Sequence, residues 1–81
     1  MSKVADSFLE ICQSIVSKSD EVQVSGEETG DLEKIRISVA KEDMGTIIGK
    51  GGRVIKALRK LAGVLGVKSG KKVIVELEES V

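Results

Sequence analysis

The stretch IIGKGGRVI, residues 47–55, decides how this chain folds, because it sets three glycines and a lysine between two apolar segments. Glycine has no Cβ, so another molecule can come close to the backbone of this turn. The residues after Gly52 have the spacing of a helix, and the first N–H groups of a helix have no partner within it. Those N–H groups, together with Lys50 and Arg53, favour a bound phosphate.

The segment before this turn is predicted to form a helix and a β-hairpin. Residues 3–18 carry apolar side chains at helical spacing and predict an amphipathic helix. Residues 21–25 alternate between polar and apolar side chains and predict a strand that ends at Gly26. A second turn signal at Gly30 precedes another alternating strand at residues 35–39. The link between the strands is short, so we expect an antiparallel hairpin.

The glycine turn itself is predicted to lie between two helices, with a third strand after them. Residues 42–48 predict a helix of about two turns. In the second helix, Gly63 suggests a close backbone contact or an early end, and Gly66 opens a loop that continues to Gly70. Residues 72–78 predict the third strand. The order is α-β-β-α-α-β, and a helical crossover makes strands 2 and 3 parallel if they are neighbours.

The charges of the chain are segregated, although thirteen basic and thirteen acidic residues give a formal net charge of zero. Residues 1–44 carry five basic and ten acidic side chains, and residues 76–81 carry three glutamates. Residues 45–75 carry eight basic side chains and no acidic one. An isolated basic helix often serves only to solubilise a surface, but a long stretch without acids favours a nucleic-acid partner.

Composition limits the remaining classes of function. A chain of 81 residues with 41% apolar side chains has enough material for one domain with a modest core. It lacks the apolar run of a membrane span and the pattern of a signal peptide. Its one cysteine, Cys12, is predicted to be a buried thiol, which fits a reducing cytosol. Because there is no histidine and no metal-ligand cluster, we expect no enzyme, no metal and no cofactor.

Two common phosphate-binding motifs do not fit the glycine turn. A Walker A loop needs four residues between its first glycine and the Gly-Lys pair, whereas only three separate Gly45 from Gly49. It also needs Ser or Thr where Gly51 stands. A dinucleotide fingerprint needs a small residue at its sixth position, which is Val54 here, and a strand before it. A third motif, the helix–GxxG–helix turn that clamps a nucleic-acid backbone, fits residues 49–52.

The match to this third motif extends well beyond the turn. Residues 47–55 resemble the signature of the KH domain, Ile-Gly-x-x-Gly flanked by aliphatic residues, and the element order resembles the type II KH fold. With its short length and the sequence EDMG at residues 42–45, the chain is similar to the small bacterial single-KH proteins of the KhpA (YlqC) family. The resemblance implies an α+β fold, a three-stranded mixed sheet packed against helices on one face, with residues 1–81 as a single KH domain.

The resemblance also implies that nine residues in and beside the turn hold about four unpaired nucleotides. The glycines shape the turn and keep its backbone low, while its lysine contacts a phosphate with support from basic side chains of the next helix. The aliphatic neighbours form the walls of a groove, although each of them fits an ordinary core position equally well. In chain order these residues are Ile48, Gly49, Lys50, Gly51, Gly52, Arg53, Val54, Ile55 and Lys56.

The partners implied by the resemblance are consistent with the scarcity of aromatic residues. Phe8 is the only aromatic residue, so the chain cannot stack bases on aromatic platforms and must rely on backbone and aliphatic contacts. The family resemblance implies a cytoplasmic RNA chaperone or post-transcriptional regulator that binds single-stranded RNA. It also implies a homodimer and a heteromer with a larger multidomain KH protein of the Jag/KhpB type, with no membrane partner. Two alternatives are a protein–protein adaptor of KH fold and a factor associated with ribosome assembly.

Overall fold

The structure is a computed structural model that describes residues 3–80. Three helices and three strands follow one another in the predicted order, α-β-β-α-α-β. Single 3-10 turns lie at Ser19–Glu21, Lys41–Asp43 and Lys50–Gly52. The main elements are α1 (Lys3–Ile15), β1 (Gln23–Thr29), β2 (Leu32–Val39), α2 (Met44–Ile48), α3 (Arg53–Ser69) and β3 (Lys72–Glu79).

The three strands form one mixed sheet in the order β1-β2-β3. β1 and β2 are antiparallel, with Val24 opposite Ile37, whereas β2 and β3 are parallel, with Ile35 opposite Val75. The predicted hairpin and the predicted parallel pair are therefore both confirmed. The α+β class with a three-stranded mixed sheet is confirmed as well.

The core lies between one face of the sheet and the helices. α1 packs on β1, and α3 packs on β3. The alternation of β2 turns Ile35 and Ile37 inward, where they are fully buried together with Phe8 and Cys12 of α1. Burial raises the pKa of the Cys12 thiol to about 11, because a thiolate would lose its hydration there. The prediction of a buried cysteine is confirmed.

The sequence predicted that the first strand ends at Gly26, and this prediction is wrong. β1 runs through Gly26, which pairs with Ile35, and ends at Thr29. Only two residues then connect the strands, and the first of them, Gly30, has a φ of 59°. The ladder with β2 holds the weak strand former Gly26 in place, so tertiary pairing overrides its local preference.

The predictions for the glycines of the second helix are also wrong. α3 passes through both Gly63 and Gly66 and ends at Ser69. A Cβ on Gly63 would have no atom within 4 Å, so this residue makes no close contact. A Cβ on Gly66 would lie 2.5 Å from the carbonyl oxygen of Lys71 and 3.2 Å from Cγ2 of Val73. The close approach predicted at Gly63 therefore occurs at Gly66, where the chain turns back from α3 into β3.

Candidate nucleic-acid interface

Three backbone hydrogen bonds build the turn between α2 and α3. The N–H of Gly49 donates to the carbonyl of Gly45 at 2.8 Å and ends α2. The N–H of Gly52 donates to the carbonyl of Gly49 at 3.1 Å, and the N–H of Arg53 donates to that of Lys50. These bonds make a compact 3-10 turn from Lys50 to Gly52.

Gly49 and Gly51 serve this turn in different ways. Both have a positive φ, 76° at Gly49 and 63° at Gly51, which L side chains rarely adopt. A Cβ on Gly49 would also lie 2.5 Å from Cγ2 and 2.8 Å from the backbone nitrogen of Val54, so the first turn of α3 leaves room only for a hydrogen. A Cβ on Gly51 would have no atom within 4 Å. Gly51 is thus the open tip of the turn.

The basic side chains around the turn are exposed, and among the described residues they form no ion pair with an acidic side chain. Lys50, Arg53 and Lys56 all lie at the surface. Within residues 3–80, the four ion pairs use only Lys18, Arg36 and Lys71 as their basic members. No acidic side chain of the described part of the chain therefore neutralises the charge beside the turn, which leaves it available to an external anion.

Lys56 is directed back toward the turn. A Cβ on Gly52 would lie 3.7 Å from Cε of Lys56, so the aliphatic stem of this lysine passes close to the turn backbone. Helical side chains lean toward the N-terminus of their helix, which explains the direction. Gly52 is also the residue that precedes α3, and no side chain caps the helix there. The exposed tip, an uncapped helix start and three cations thus lie together.

The three aliphatic candidates for groove walls have different surroundings. Ile48 is 38% exposed beside the turn. Val54 is half-buried and packs on the core and against Gly49. Ile55 is a core residue at 8% exposure, because its position on α3 faces the sheet. The core alternative that the sequence left open thus describes Ile55, and only Ile48 presents a large apolar surface.

Asp43 fixes the start of the α2 segment to the end of α1. Its carboxylate is buried and accepts hydrogen bonds from the hydroxyl of Ser17 at 2.7 Å, the N–H of Ser17 at 3.0 Å and the N–H of Lys18 at 3.0 Å. These bonds, with the backbone N–H of Ser17 first among them, hold the pKa of Asp43 below its ordinary value. The helix that leads into the glycine turn is thereby anchored to a distant part of the chain.

An exposed ion pair lies next to this anchor. Nζ of Lys18 lies 2.5 Å from Oε2 of Glu42 and 3.7 Å from Oε2 of Glu21. The hydrogen bond and the charge of Glu42 raise the pKa of Lys18, and Lys18 in turn lowers the pKa of Glu42. Because both side chains are about half exposed, this pair adds little to stability compared with the buried carboxylate.

Two buried carboxylates were not found from the sequence. Asp43 lies in the helix predicted over residues 42–48, and no spacing indicates its pairing with Ser17. Glu33 is 2% exposed, and its Oε2 has no hydrogen-bond partner. Its burial had a signal in the sequence, because Glu33 is in phase with Ile35 and Ile37 on the inward face of β2.

The part of the chain that the structure describes contains neither a membrane-spanning helix nor a metal-binding cluster. No helix within residues 3–80 combines the length and the apolar character that crossing a bilayer requires. Among the same residues, no group of three or more His, Cys, Asp or Glu side chains is arranged to hold a metal ion.

The mixed sheet and a GxxG turn between two helices define the protein class as a KH domain. A family model described as "KhpA/KhpB, KH domain" matches residues 6–77. The match covers most of the sequence, including every helix and strand at least in part. The chain therefore belongs to the KhpA/KhpB family of KH domains, as the sequence resemblance indicated.

Curated bacterial relatives support the same assignment. The chain is 41% identical over 72 residues to the RNA-binding protein KhpA of Listeria monocytogenes, covering 89% of this chain and 95% of the relative. It is 48% identical over 68 residues to the Clostridium acetobutylicum protein of that name, covering 83% and 89%. The Bacillus subtilis relative of that name is 40% identical over 72 residues, covering 89% of each. No solved structure gives a significant match.

Proposed function

We propose that this protein binds single-stranded RNA by clamping the phosphate backbone on its GxxG turn, and that it catalyses no reaction. The observation that carries the proposal is the exposed tip at Gly51, which lies among cations that have no acidic partner within residues 3–80. Relatives that share about two fifths to one half of their residues with this chain are named for RNA binding, which supports the same function.

Each residue of the turn has a physical role in this proposal. Gly51 has no side chain, so a sugar-phosphate backbone can approach the peptide closely. Lys50 contacts a phosphate oxygen as a point charge, and Arg53 and Lys56 stabilise the phosphates on either side. Ile48 supplies apolar contact to a base, which suits a chain without aromatic platforms.

The remaining residues hold this surface in shape. Gly49 and Gly52 adopt the positive φ values that reverse the chain between α2 and α3. Val54 forms the side of the turn and one wall of the groove, while Ile55 fixes α3 on the core behind it. The proposal thus assigns recognition to the exposed residues and support to the buried ones.

A clamp of this size binds RNA weakly, and its affinity decreases as the salt concentration rises. About four phosphates are neutralised, so the logarithm of the association constant should fall with the logarithm of the salt concentration with a slope of roughly −3. Because few contacts are available to one domain, a second domain would raise the apparent affinity through effective concentration. Weak binding by one domain therefore favours an assembly that brings two RNA-binding domains together.

We propose that the protein acts in the cytoplasm as a homodimer or together with a larger KH protein of the KhpB type, as an RNA chaperone or post-transcriptional regulator. The family description names KhpA and KhpB together. Val64 and Val67 on α3 are 66% and 84% exposed, an apolar surface that a protein partner would cover. Measuring the molar mass in solution by light scattering at several concentrations tests the homodimer directly.

The decisive experiment is ultraviolet crosslinking of RNA to the protein in cells. The test variant is Lys50→Asp with Gly51→Asp, which puts acids on the tip without filling a packed position. The control variant is Ser25→Asp with Lys72→Asp, which makes the same change in net charge at exposed positions of β1 and β3. We expect the test variant to lose RNA and the control to retain it, with both folded by circular dichroism.

Equal RNA recovery from the wild type and the Lys50→Asp, Gly51→Asp variant would overturn the clamp. A protein partner that is captured equally well by both, in the absence of RNA, would favour the adaptor alternative instead. Enrichment of ribosomal RNA alone, lost on the same substitutions, would favour the factor associated with ribosome assembly. The three functions therefore give different results in one set of samples.

A further inference from the structure

The solvent face of α3 has a basic half at the start of the helix and a second half in which two exposed valines precede Lys68. At 3.6 residues per turn, Arg53, Lys56 and Lys60 fall within about 60° of one another around the helix axis, and all three are exposed. The same stripe continues with Val64 and Val67, which are exposed and apolar. The basic half therefore begins at the glycine turn and ends about two turns into the helix.

Lys60 has no structural explanation within residues 3–80. It forms no ion pair there, and α3 contains no acidic residue with which it could pair. It lies in the middle of α3, where a cation gains nothing from the helix dipole. Lys68 is different, because it lies in the last turn and stabilises the negative end of the helix. Lys60 is thus an exposed, unpaired cation among the described residues, and it lies on the same stripe of α3 as Lys56.

We propose that this stripe is a second phosphate-binding track, along which an RNA strand continues after it leaves the GxxG clamp. The inference rests on the proposed function and extends the bound RNA beyond the four nucleotides that a clamp holds. Lys60 lies about 10 Å along the helix axis from Arg53. Because helical side chains lean toward the N-terminus, Lys56 and Lys60 are directed toward the turn and form a row with Arg53. The occupant is the sugar-phosphate backbone, so the track has no base preference.

The test compares short and long RNA on matched variants of the full chain. The probes are fluorescently labelled tetranucleotides and decanucleotides of randomised sequence. The variants are Lys60→Gln and the control Lys68→Gln, which remove one positive charge each from the same helix. We expect Lys60→Gln to bind the tetranucleotide as the wild type does and the decanucleotide several-fold more weakly. Its salt slope for the decanucleotide should be smaller in magnitude by about 0.7, the contribution of one phosphate on a single strand.

Comparing Lys60→Gln with Lys68→Gln distinguishes RNA binding along the track from other effects of RNA length on affinity. A decanucleotide offers the clamp more registers than a tetranucleotide, but that gain is the same for both variants. Equal affinity of Lys60→Gln and the wild type for the decanucleotide would overturn the track. Equal losses in Lys60→Gln and Lys68→Gln would overturn it too, because they would show an effect of net charge alone.

The clamp and the track fail in different ways. If the Lys50→Asp, Gly51→Asp variant loses the tetranucleotide while Lys60→Gln matches the wild type on both probes, the clamp stands and the track is wrong. If the wild type binds neither probe, both proposals are wrong. The expected pattern is a loss of both probes in the loop variant and a loss confined to the decanucleotide in Lys60→Gln.

Discussion

Oδ1 of Asp43 accepts hydrogen bonds from both the hydroxyl and the N–H of Ser17, at 2.7 and 3.0 Å, across 26 positions of the chain. Ser17 follows the end of α1, and Asp43 directly precedes α2, so the two segments are fixed to each other. α2 has only five residues, too few for a helix to be stable by itself. Its position, and that of the glycine turn after it, depends on this contact and on the burial of Ile47.

Replacing Asp43 by Asn should destabilise the protein and loosen the turn. Asn keeps one acceptor oxygen, but its amide group would face the N–H of Lys18, which has no other partner there. We expect Tm to fall by roughly 4–8 °C. We also expect the N–H of Gly52 to exchange faster with solvent, because its bond to Gly49 closes the turn. Thermal unfolding and hydrogen exchange measure the two effects.

Asp20→Asn is the matched control for this substitution. Asp20 is an exposed residue in the 3-10 turn after α1, and it loses the same charge without losing a hydrogen bond. Its Tm and its exchange at Gly52 should equal those of the wild type. If Asp43→Asn also leaves both unchanged, the carboxylate does not hold the α2 segment in place.

The stability of the protein should depend on the ionisation of Asp43 in acid. Its hydrogen bonds hold its folded pKa below the ordinary value of 3.8. Above pH 3.8 the carboxylate is ionised in both states and its stabilisation is fully present. As the pH falls below 3.8 the unfolded chain takes up the proton first, so stability is lost as the pH falls through the folded pKa.

Urea unfolding at a series of pH values measures this effect. The difference in free energy of unfolding between the wild type and Asp43→Asn should be constant from neutral pH to about pH 5. It should then shrink as the pH falls below about 4, because Asn does not titrate. A difference that stays constant down to the acid transition would show that the Asp43 carboxylate keeps an ordinary pKa in the folded protein.

The order of elements and the glycine turn could be predicted because both depend on patterns among residues that are close in the sequence. Helical spacing indicated α1 and α3, alternation indicated β1 and β2, and three glycines indicated the reversal between the helices. Even the burial of Glu33 follows from the alternation of β2. The contact between Ser17 and Asp43 could not be predicted, because a carboxylate and two backbone N–H groups meet there only after the chain has folded. The close contact was predicted at Gly63 and occurs at Gly66, because composition does not tell which glycine of a helix meets another strand.

Gly63 and Gly66 should respond to alanine in opposite directions. A Cβ on Gly63 meets no atom within 4 Å, so Gly63→Ala should stabilise the protein by up to about 1 kcal/mol through helix propensity. A Cβ on Gly66 would lie 2.5 Å from the backbone oxygen of Lys71, which cannot move without shifting the start of β3. Gly66→Ala should therefore destabilise by roughly 1–3 kcal/mol.

Urea unfolding of the two alanine variants measures these free energies, and each variant serves as the control for the other. The substitutions are chemically identical and lie three residues apart in α3. Destabilisation by both, in equal amounts, would mean that α3 does not lie against Lys71 as the structure has it.

Gly49 should tolerate alanine far less well than Gly51. Both residues have a positive φ, but Gly51, at φ 63° and ψ 18°, lies in the left-handed region, where alanine costs about 1 kcal/mol in backbone strain. Gly49, at φ 76° and ψ 170°, lies in a region that essentially only glycine adopts, so its strain is larger. At Gly49 the new Cβ would also meet Cγ2 of Val54 at 2.5 Å and its backbone nitrogen at 2.8 Å. We expect Gly51→Ala to lower the free energy of unfolding by about 1 kcal/mol and Gly49→Ala by at least about 2 kcal/mol more.

A double-mutant cycle with Val54→Ala separates the clash from the strain. Removing Cγ2 of Val54 relieves the closest of the contacts that a Cβ on Gly49 would make and none at Gly51, whose Cβ would lie in open space. In urea unfolding, Gly49→Ala and Val54→Ala should therefore be coupled: the double variant should lose less free energy of unfolding than the two single variants lose together. The losses caused by Gly51→Ala and Val54→Ala should instead be additive. Additivity in both cycles would show that strain alone requires glycine at position 49. Coupling confined to Gly49 would show that the turn needs its first glycine for the close approach of α3.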